Sequence, residues 1–218
     1  NYIGSGAFSL CFKIKSIIIP DSVTSIGDAA FSSCNNLKDI SISKNITSLG
    51  YGVFNNTSYY RNTSNWHNDL LYIDAYLLEA KETVSGNCVI KDGTKVIASR
   101  TFGYLDDLTG LTIPASVEFI NSNIVDSCNN FNSFTVDKNN KYYSSADGVL
   151  FNKDKTILIQ YPIAKKETTY KIPDSVICIS NFAFESCNAL TSIVIPKSVI
   201  EIGFLSFAYC RNIKDVYY

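Results

Sequence analysis

The 218-residue sequence contains no methionine, a single histidine and a single tryptophan. One imidazole, that of His67, excludes any site that needs two or more histidines. Positive charge is not in excess, because 19 Lys and Arg face 20 Asp and Glu, and this balance disfavours nucleic-acid binding as the main activity. No apolar run approaches the ~18 residues of a membrane-spanning helix. Since the chain does not begin with methionine, we expect a processed product or a fragment of a longer chain.

Apolar residues, by contrast, are plentiful and recur at a fixed spacing. Hydrophobic residues make up 46% of the sequence and charged residues 18%, which predicts a packed core. The segment Ile3-Gly-Ser-Gly-Ala-Phe8 recurs 23 residues later as Ile26-Gly-Asp-Ala-Ala-Phe31, and the same spacing separates Ile179 from Ile202. Two longer gaps each conceal one degenerate unit, so the pattern predicts about nine units in all.

Each unit contains two apolar motifs. The motif Leu-x-x-Ile-x-Ile-Pro ends in alternating β-branched residues, which indicates a short strand that the proline closes. The motif Val-x-x-Ile-Gly-x-x-Ala-Phe must return the chain on the opposite side. Stacked units can bury an apolar face that one unit cannot, so the sequence predicts a solenoid with a parallel sheet. We expect its strands near residues 14–19, 37–42, 87–90, 108–113, 131–136, 168–172, 190–195 and 213–218.

The consensus Ile-Gly-x-x-Ala-Phe-x-x-Cys-x-x-Leu-x-x-Ile-x-Ile-Pro-x-Ser-Val resembles the BspA-type leucine-rich repeat. The units at 3–25, 26–48, 97–119, 179–201 and 202–218 carry the resemblance. It implies an α/β or mostly-β solenoid of about nine coils of ~23 residues, forming a single domain over residues 1–218. It also implies a secreted or cell-surface protein with a role in adhesion or recognition.

Two segments, near 55–73 and 138–167, depart from the repeat. Leu70-Leu71-Tyr72 parallels Val149-Leu150-Phe151, so we interpret both segments as hairpin-like insertions. Exposed Tyr and Trp side chains are good interface anchors, and aromatic residues in or next to the insertions are therefore candidate binding residues. The alternative is that they cover a small core of the insertion itself. These aromatic residues are Tyr59, Tyr60, Trp66, Tyr142 and Tyr143.

Most of the seven cysteines occupy one position of the repeat, three residues after the recurring Phe. Leu105 fills that position in another unit, which indicates an apolar core site, and Cys88 takes a strand position filled elsewhere by Ile. Side chains at equivalent positions should point the same way, whereas a disulfide needs Cβ atoms ~3.8 Å apart. We therefore expect most thiols to be reduced and buried. The recurring position holds Cys11, Cys34, Cys128, Cys187 and Cys210.

Candidate catalytic and metal-binding groups are sparse. A Cys88–His67 pair would suit nucleophilic catalysis, but His67 lies in a polar segment and Cys88 fits the repeat. Asp106-Asp107 is typical of a solvated loop. Asp137-Lys-Asn139-Asn140 lacks the glycine and the glutamate that a calcium loop needs. The sequence predicts no catalytic residue, no metal site and no cofactor, and hence no enzyme.

Between the inward-facing residues of each strand lie residues that should face solvent. This face is small, neutral and hydroxyl-rich, which suits broad contact with another macromolecule. We expect a protein or glycoprotein partner, for example from host extracellular matrix or mucus, and carbohydrate binding or a passive spacer role are the alternatives. The predicted binding positions are Ser16, Ile18, Asp39, Ser41, Asn87, Val89, Gly110, Thr112, Ser133, Thr135, Lys171, Ser192 and Val194.

The last unit ends at Tyr217-Tyr218, inside or just after its strand. Solenoids usually finish with a polar capping unit, and an uncapped edge strand exposes backbone donors and acceptors to other chains. We therefore expect further sequence beyond Tyr218 in the full protein. We also expect self-association of this chain through the edge formed by 213–218.

Overall fold

The computed structural model describes residues 1–218 and is a mostly-β solenoid of about nine turns. Helix is confined to α1 (Ser58–Arg61) and a 3-10 turn at Thr63–Asn65. The strands are β1 (Tyr2–Ile3), β2 (Ser16–Ile18), β3 (Ser25–Ile26), β4 (Asp39–Ser41), β5 (Ser48–Leu49), β6 (Trp66–His67), β7 (Leu70–Ile73), β8 (Tyr76–Ala80), β9 (Gly86–Val89), β10 (Val96–Ile97), β11 (Leu108–Ile113), β12 (Phe119–Ile120), β13 (Ser133–Val136), β14 (Tyr143–Ala146), β15 (Val149–Asn152), β16 (Ile157–Gln160), β17 (Thr169–Lys171), β18 (Cys178–Ile179), β19 (Ser192–Val194), β20 (Glu201–Ile202) and β21 (Asp215–Tyr217).

The Leu-x-x-Ile-x-Ile motifs form strands at all the predicted places. Neighbouring strands pair in parallel with equivalent residues opposite each other, as in Ile17 with Ile40 and Tyr170 with Ile193. The solenoid and its parallel pairing are therefore confirmed. These strands form three ladders rather than one sheet, namely β2–β4, β9–β11–β13 and β17–β19–β21. In the chain, each break coincides with one of the two insertions.

A second set of strands, which the sequence analysis did not predict, is formed by the Ile-Gly motif. Ser25–Ile26 pairs in parallel with Tyr2–Ile3 on one side and with Ser48–Leu49 on the other. The following glycine is required by the close approach of the preceding coil. A Cβ atom on Gly50 would lie 2.4 Å from the backbone nitrogen of Asp28, so any larger residue would push the two coils apart.

Each insertion is a three-stranded antiparallel meander whose last strand joins a parallel ladder. In the first meander β6, β7 and β8 pair in order, and β8 then pairs with β10 through Tyr76 opposite Val96. In the second, β14, β15 and β16 repeat this arrangement, and β16 pairs with β18 through Ile157 opposite Cys178. The hairpin-like interpretation of both insertions is confirmed, although the first meander continues to Ala80, beyond the predicted bound at residue 73. Their return strands replace the Ile-Gly strand in the two degenerate units.

Between its two strands each regular coil turns through two residues in the left-handed backbone conformation. They lie three and seven residues after the Ile of the Ile-Gly motif, and most are not glycine, as shown by Leu205 at φ 51° and Tyr104 at φ 61°. An L residue in this conformation costs of order 1–2 kcal/mol. A hydrogen bond to the next coil compensates for part of it, since the N–H of Tyr104 donates to the carbonyl of Asp126 at 2.7 Å.

The chain divides into two compact units, of which one comprises residues 1–81, 93–102 and 119–124 and the other the remaining residues. In the first unit the rings of Phe8, Phe31 and Phe54 stack with centroids 5.1 and 5.4 Å apart. In the second unit Phe184 stacks on Phe207 at 4.8 Å. The recurring Phe therefore packs ring on ring within each unit. Burial of Phe31, Phe54 and Phe184 contributes roughly 1.5–3 kcal/mol each, whereas Phe8 remains 42% exposed.

Candidate functional site

The predicted solvent-facing positions of the ladders are largely exposed. Two apolar side chains among them are exposed, Ile18 with 83% and Val89 with 64% of its surface. The polar positions Ser16, Asp39, Ser41, Asn87, Thr135 and Lys171 are also exposed, whereas Thr112, Ser133, Ser192 and Val194 are half-buried. Within each ladder these residues lie in parallel register, because equivalent residues of successive strands are opposed. The ladder face therefore offers rows of hydroxyl, amide and β-branched groups.

Gly110 was expected on this face and is instead buried. The side chain of Asn87 covers it, since a Cβ atom on Gly110 would lie 2.7 Å from Asn87 Oδ1. Asn87 Nδ2 also donates to Thr112 Oγ1 at 3.0 Å. A bulge between Leu108 and Gly110 shifts the pairing with β9 at this point. The Asn87 amide on the neighbouring strand therefore covers Gly110, and this glycine does not contribute to the exposed face of β11.

In the first insertion the aromatic side chains pack inward. Tyr59, Tyr60 and Trp66 are half-buried against the core of the first unit. Tyr59 Oη donates to the carbonyl of Tyr72 at 2.7 Å, and Trp66 Nε1 donates to that of Tyr60 at 2.8 Å. The Tyr60 and Trp66 rings meet edge to face at 5.2 Å. The side-chain polar atoms of Tyr59 and Trp66 are thus satisfied internally. All three aromatic side chains pack against the core, as the alternative interpretation of these residues describes.

Charged groups complete the surface of this meander. Lys81 Nζ lies 4.9 Å above the Trp66 ring and 2.9 Å from Asp69 Oδ1. Burial raises the pKa of Glu79 to about 7, although a side-chain hydrogen bond from Asn55 opposes that shift. The pKa of the Glu79 carboxyl is therefore raised into the neutral range.

The second insertion places its two candidate tyrosines differently. Tyr142 is 47% exposed, whereas Tyr143 is half-buried with its hydroxyl 3.4 Å from the carbonyl of Glu118. Both backbone N–H groups donate to Oδ1 of the fully buried Asn140, each at 2.8 Å. Asn140 Nδ2 in turn donates to the carbonyls of Pro114 and Val117 at 2.9 and 3.0 Å. Asn140 thus fastens the insertion to the preceding coil.

Sequence reasoning considered Asn140 only as part of a calcium-like loop and missed this role. Asparagine has a similar role at a different, recurring position of the repeat. Asn36, Asn130 and Asn212 each lie ten residues after the Ile of the Ile-Gly motif, and each Nδ2 donates to a carbonyl of the preceding coil at 2.7–2.9 Å. Asparagine in this solenoid is mainly a structural residue.

All seven cysteines are free thiols. Cys34, Cys128 and Cys187 are buried, but Cys11, Cys88, Cys178 and Cys210 are only half-buried, so the expectation of general burial is right for three of them. The recurring position also has a polar function. Cys34 Sγ donates to the carbonyl of Phe8 at 3.0 Å, and Cys210 Sγ to that of Phe184 at 2.8 Å, which explains why a thiol is used where another unit has leucine.

The groups considered for catalysis do not form an activated site. Burial raises the pKa of the Cys88 thiol to about 11, which disfavours the thiolate that a nucleophile requires. His67 is exposed.

Asp106 accepts two hydrogen bonds from Asn129, at 3.2 Å from its N–H and 2.8 Å from Nδ2, so it acts as a structural cap between coils. No group of three His, Cys, Asp or Glu residues is placed to hold a metal ion, and no helix has the length and apolar character needed to cross a bilayer.

Comparison with known families identifies the repeat. The family model of the BspA-type leucine-rich repeat region matches residues 1–132, 73–153 and 164–218, with six copies. The chain therefore belongs to the BspA-type leucine-rich repeat family. This family is defined by its repeat and not by a catalytic motif. No curated protein matches the sequence.

Solved bacterial structures share the fold. The pneumococcal vaccine antigen PcpA is similar over 100% of this chain and 56% of its own, with 21% identity and a TM-score of 0.58. A leucine-rich repeat protein from Eubacterium ventriosum matches 94% of this chain and 60% of its own at 26% identity and TM-score 0.54. A leucine-rich cell surface protein from Faecalibacterium prausnitzii matches 100% and 64% at 25% identity and TM-score 0.54. The chain thus spans less than two thirds of each of these solved chains.

Proposed function

We propose that the chain is a non-enzymatic module that binds a macromolecule in adhesion or recognition. The observation that carries this proposal is the ladder face of each unit, where an apolar side chain is exposed beside hydroxyl and amide groups: Ile18 is 83% exposed in the first unit and Val89 is 64% exposed in the second. β-branched side chains on a folded strand have lost most of their rotamer freedom already. A partner that covers them gains apolar burial at little further cost in entropy.

An extracellular or cell-surface location is part of the proposal. It is supported by the family and by relatives described as a cell surface protein and as a vaccine antigen. The proposed partner is a protein or glycoprotein, such as a component of host extracellular matrix or mucus. Because the chain spans only part of its relatives' length, the activity of the whole protein is likewise a proposal.

The test is binding of the chain to immobilised mucin and matrix glycoproteins, measured by interferometry. We expect Ile18→Lys and Val89→Lys to weaken binding at least fivefold, the effect of losing ~1 kcal/mol of apolar contact. Tyr104→Ser is the matched control, because Tyr104 is 66% exposed but lies in a turn off the ladder face. Absence of binding would favour the spacer role, and equal weakening by the control would remove the ladder face from the proposal.

A further inference from the structure

The second insertion has a charge unlike that of the rest of the chain. The whole chain carries a formal charge of −1. The insertion has a clear positive excess, because its lysines outnumber its acidic residues by six to three. The lysines are Lys138, Lys141, Lys153, Lys155, Lys165 and Lys166, and the acidic residues are Asp147, Asp154 and Glu167.

Three of these lysines lie together at one end of the β14–β15 hairpin. The N–H of Lys153 donates to the carbonyl of Tyr142 at 2.7 Å, and Lys153 Nζ donates to the carbonyls of Lys138 and Asn140. Lys138, Lys141, Tyr142 and Lys153 are all exposed. These four residues are called the basic corner. Because Asn140 is rigidly held by four hydrogen bonds, the backbone that presents them is fixed.

The lysines of the basic corner form no ion pair with a carboxylate of the protein. Lys165 pairs with Glu167 at 3.1 Å and Lys171 with Asp174 at 3.6 Å, whereas the three lysines of the corner make no ion pair. Asp137 and Asp154 are the acidic residues nearest in sequence, and Asp137 Oδ1 accepts the N–H of Asn139 at 2.8 Å. The corner therefore holds three lysines without an ion pair around an exposed aromatic ring, and it keeps a net positive charge beside the exposed carboxylates of Asp137 and Asp154.

We propose that the basic corner binds a sulfated polysaccharide. The inference rests on the proposed binding role and names a ligand class for it. Lysine is a point charge on a flexible stem, which suits anionic groups spaced along a polymer chain, and the insertion contains no arginine for planar, bidentate recognition of a single anion. The exposed face of Tyr142 can pack against the apolar face of a sugar ring while its hydroxyl stays in water.

Binding of the 218-residue chain to heparin tests the proposal, with desulfated heparin of the same length and poly-glutamate as comparison polyanions. The double variant Lys138→Gln, Lys141→Gln should weaken heparin binding about fivefold per lysine and lower its salt dependence. Lys197→Gln, Lys214→Gln is the matched control, because both lysines are exposed and free of ion pairs. Tyr142→Ser should weaken binding without changing the salt dependence. Lys153 is left intact because it holds the loop.

Equal weakening by the two double variants would show non-specific charge attraction and overturn the proposal. Equal affinity for desulfated heparin or for poly-glutamate would also overturn it, as would the absence of heparin binding. If the wild-type chain does not bind heparin but binds matrix glycoproteins through the ladder face, the proposal for the basic corner fails and the proposed function stands. If it binds heparin as expected but the ladder variants change nothing, the ladder face fails instead.

Discussion

At the scale of single residues, the polar side chains of this solenoid mostly satisfy the backbone of a neighbouring coil. Asn140 is the clearest example, since all its hydrogen-bonding capacity is used in a site from which water is excluded. A buried polar group that loses its partners costs about 1–3 kcal/mol, and a buried charge costs more. Asn140, which has no obvious function in the sequence, therefore determines the position of the second insertion.

Asn140→Asp should destabilise the chain by about 3 kcal/mol or more at neutral pH. The carboxylate would face the carbonyls of Pro114 and Val117 with no proton to donate. Its folded-state pKa would be raised, so the deficit should be smallest below the unfolded pKa of ~3.9 and grow as pH rises. Denaturant unfolding across pH measures this. Asn139→Asp, an exposed neighbour, is the control, and an equal effect in both variants would contradict the assigned role.

The left-handed turn residues give a second prediction at this scale. Tyr104 has φ 61° and is 66% exposed, so its replacement tests backbone strain rather than packing. Tyr104→Val should lower the free energy of unfolding by about 1–2 kcal/mol relative to Tyr104→Gly, because a β-branched residue disfavours this conformation. At an ordinary exposed site the order would be reversed, since glycine has more entropy to lose. If the Tyr104→Val variant is more stable than the Tyr104→Gly variant, the backbone at this position is not strained.

At the scale of elements, alternation and proline positions were enough to predict the ladder strands, because β-branched residues at period two leave few other structures. The Ile-Gly strands were missed because a strand of two residues shows no alternation. The need for glycine is visible only in the folded chain, where a Cβ atom on Gly50 would lie 2.4 Å from the preceding coil.

The sequence could not show which of the candidate aromatic residues are exposed. Trp66 and Tyr142 both lie in or next to insertions, yet hydrogen bonding holds the first inward and leaves the second exposed.

The first meander should respond to pH through Glu79. Its pKa is raised to about 7 in the folded chain, from an ordinary value of 4.5. The stabilisation is therefore complete below pH ~4.5 and is lost as pH rises through ~7, by about 1–3 kcal/mol. Glu79→Gln should flatten the pH dependence of unfolding and be the more stable form at pH 8. Unfolding free energies of both proteins between pH 4 and 8 decide the matter, and parallel curves would exclude Glu79 as the cause.

At the scale of the whole molecule, the repeat determines which groups of one coil contact the next coil. Phe rings stack on their equivalents in the neighbouring coil, and Asn amides and backbone N–H groups donate to its carbonyls, as the Phe182 N–H does to the carbonyl of Phe204 at 3.0 Å. Any coil with one neighbour therefore exposes groups that an internal coil buries. In this chain the equivalents of fully buried Ile26 and Ile179 include Ile202, which is 46% exposed. Function must then be sought on faces that stacking leaves open, which are the ladder face and the insertions.

The exposed layer around β20 and β21 gives the prediction at this scale. Ile193, Ile202, Phe207 and Val216 line an apolar cavity of about 220 Å³ that opens beside Tyr218. The outer backbone edge of β21 faces no strand of the same chain, since β21 pairs only with β19, and such an edge pairs readily with other chains. We therefore predict self-association of the 218-residue chain through this edge.

Light scattering over a concentration series should show a molar mass that rises with concentration. Val216→Lys and Tyr218→Lys should reduce this rise, because charge on an edge strand opposes edge-to-edge pairing. Tyr104→Ser, which removes an aromatic ring that is 66% exposed and lies outside β21, should leave it unchanged. A chain that stays monomeric at high concentration, or one whose association the control reduces as much as the lysine variants do, would show that this edge is not the contact.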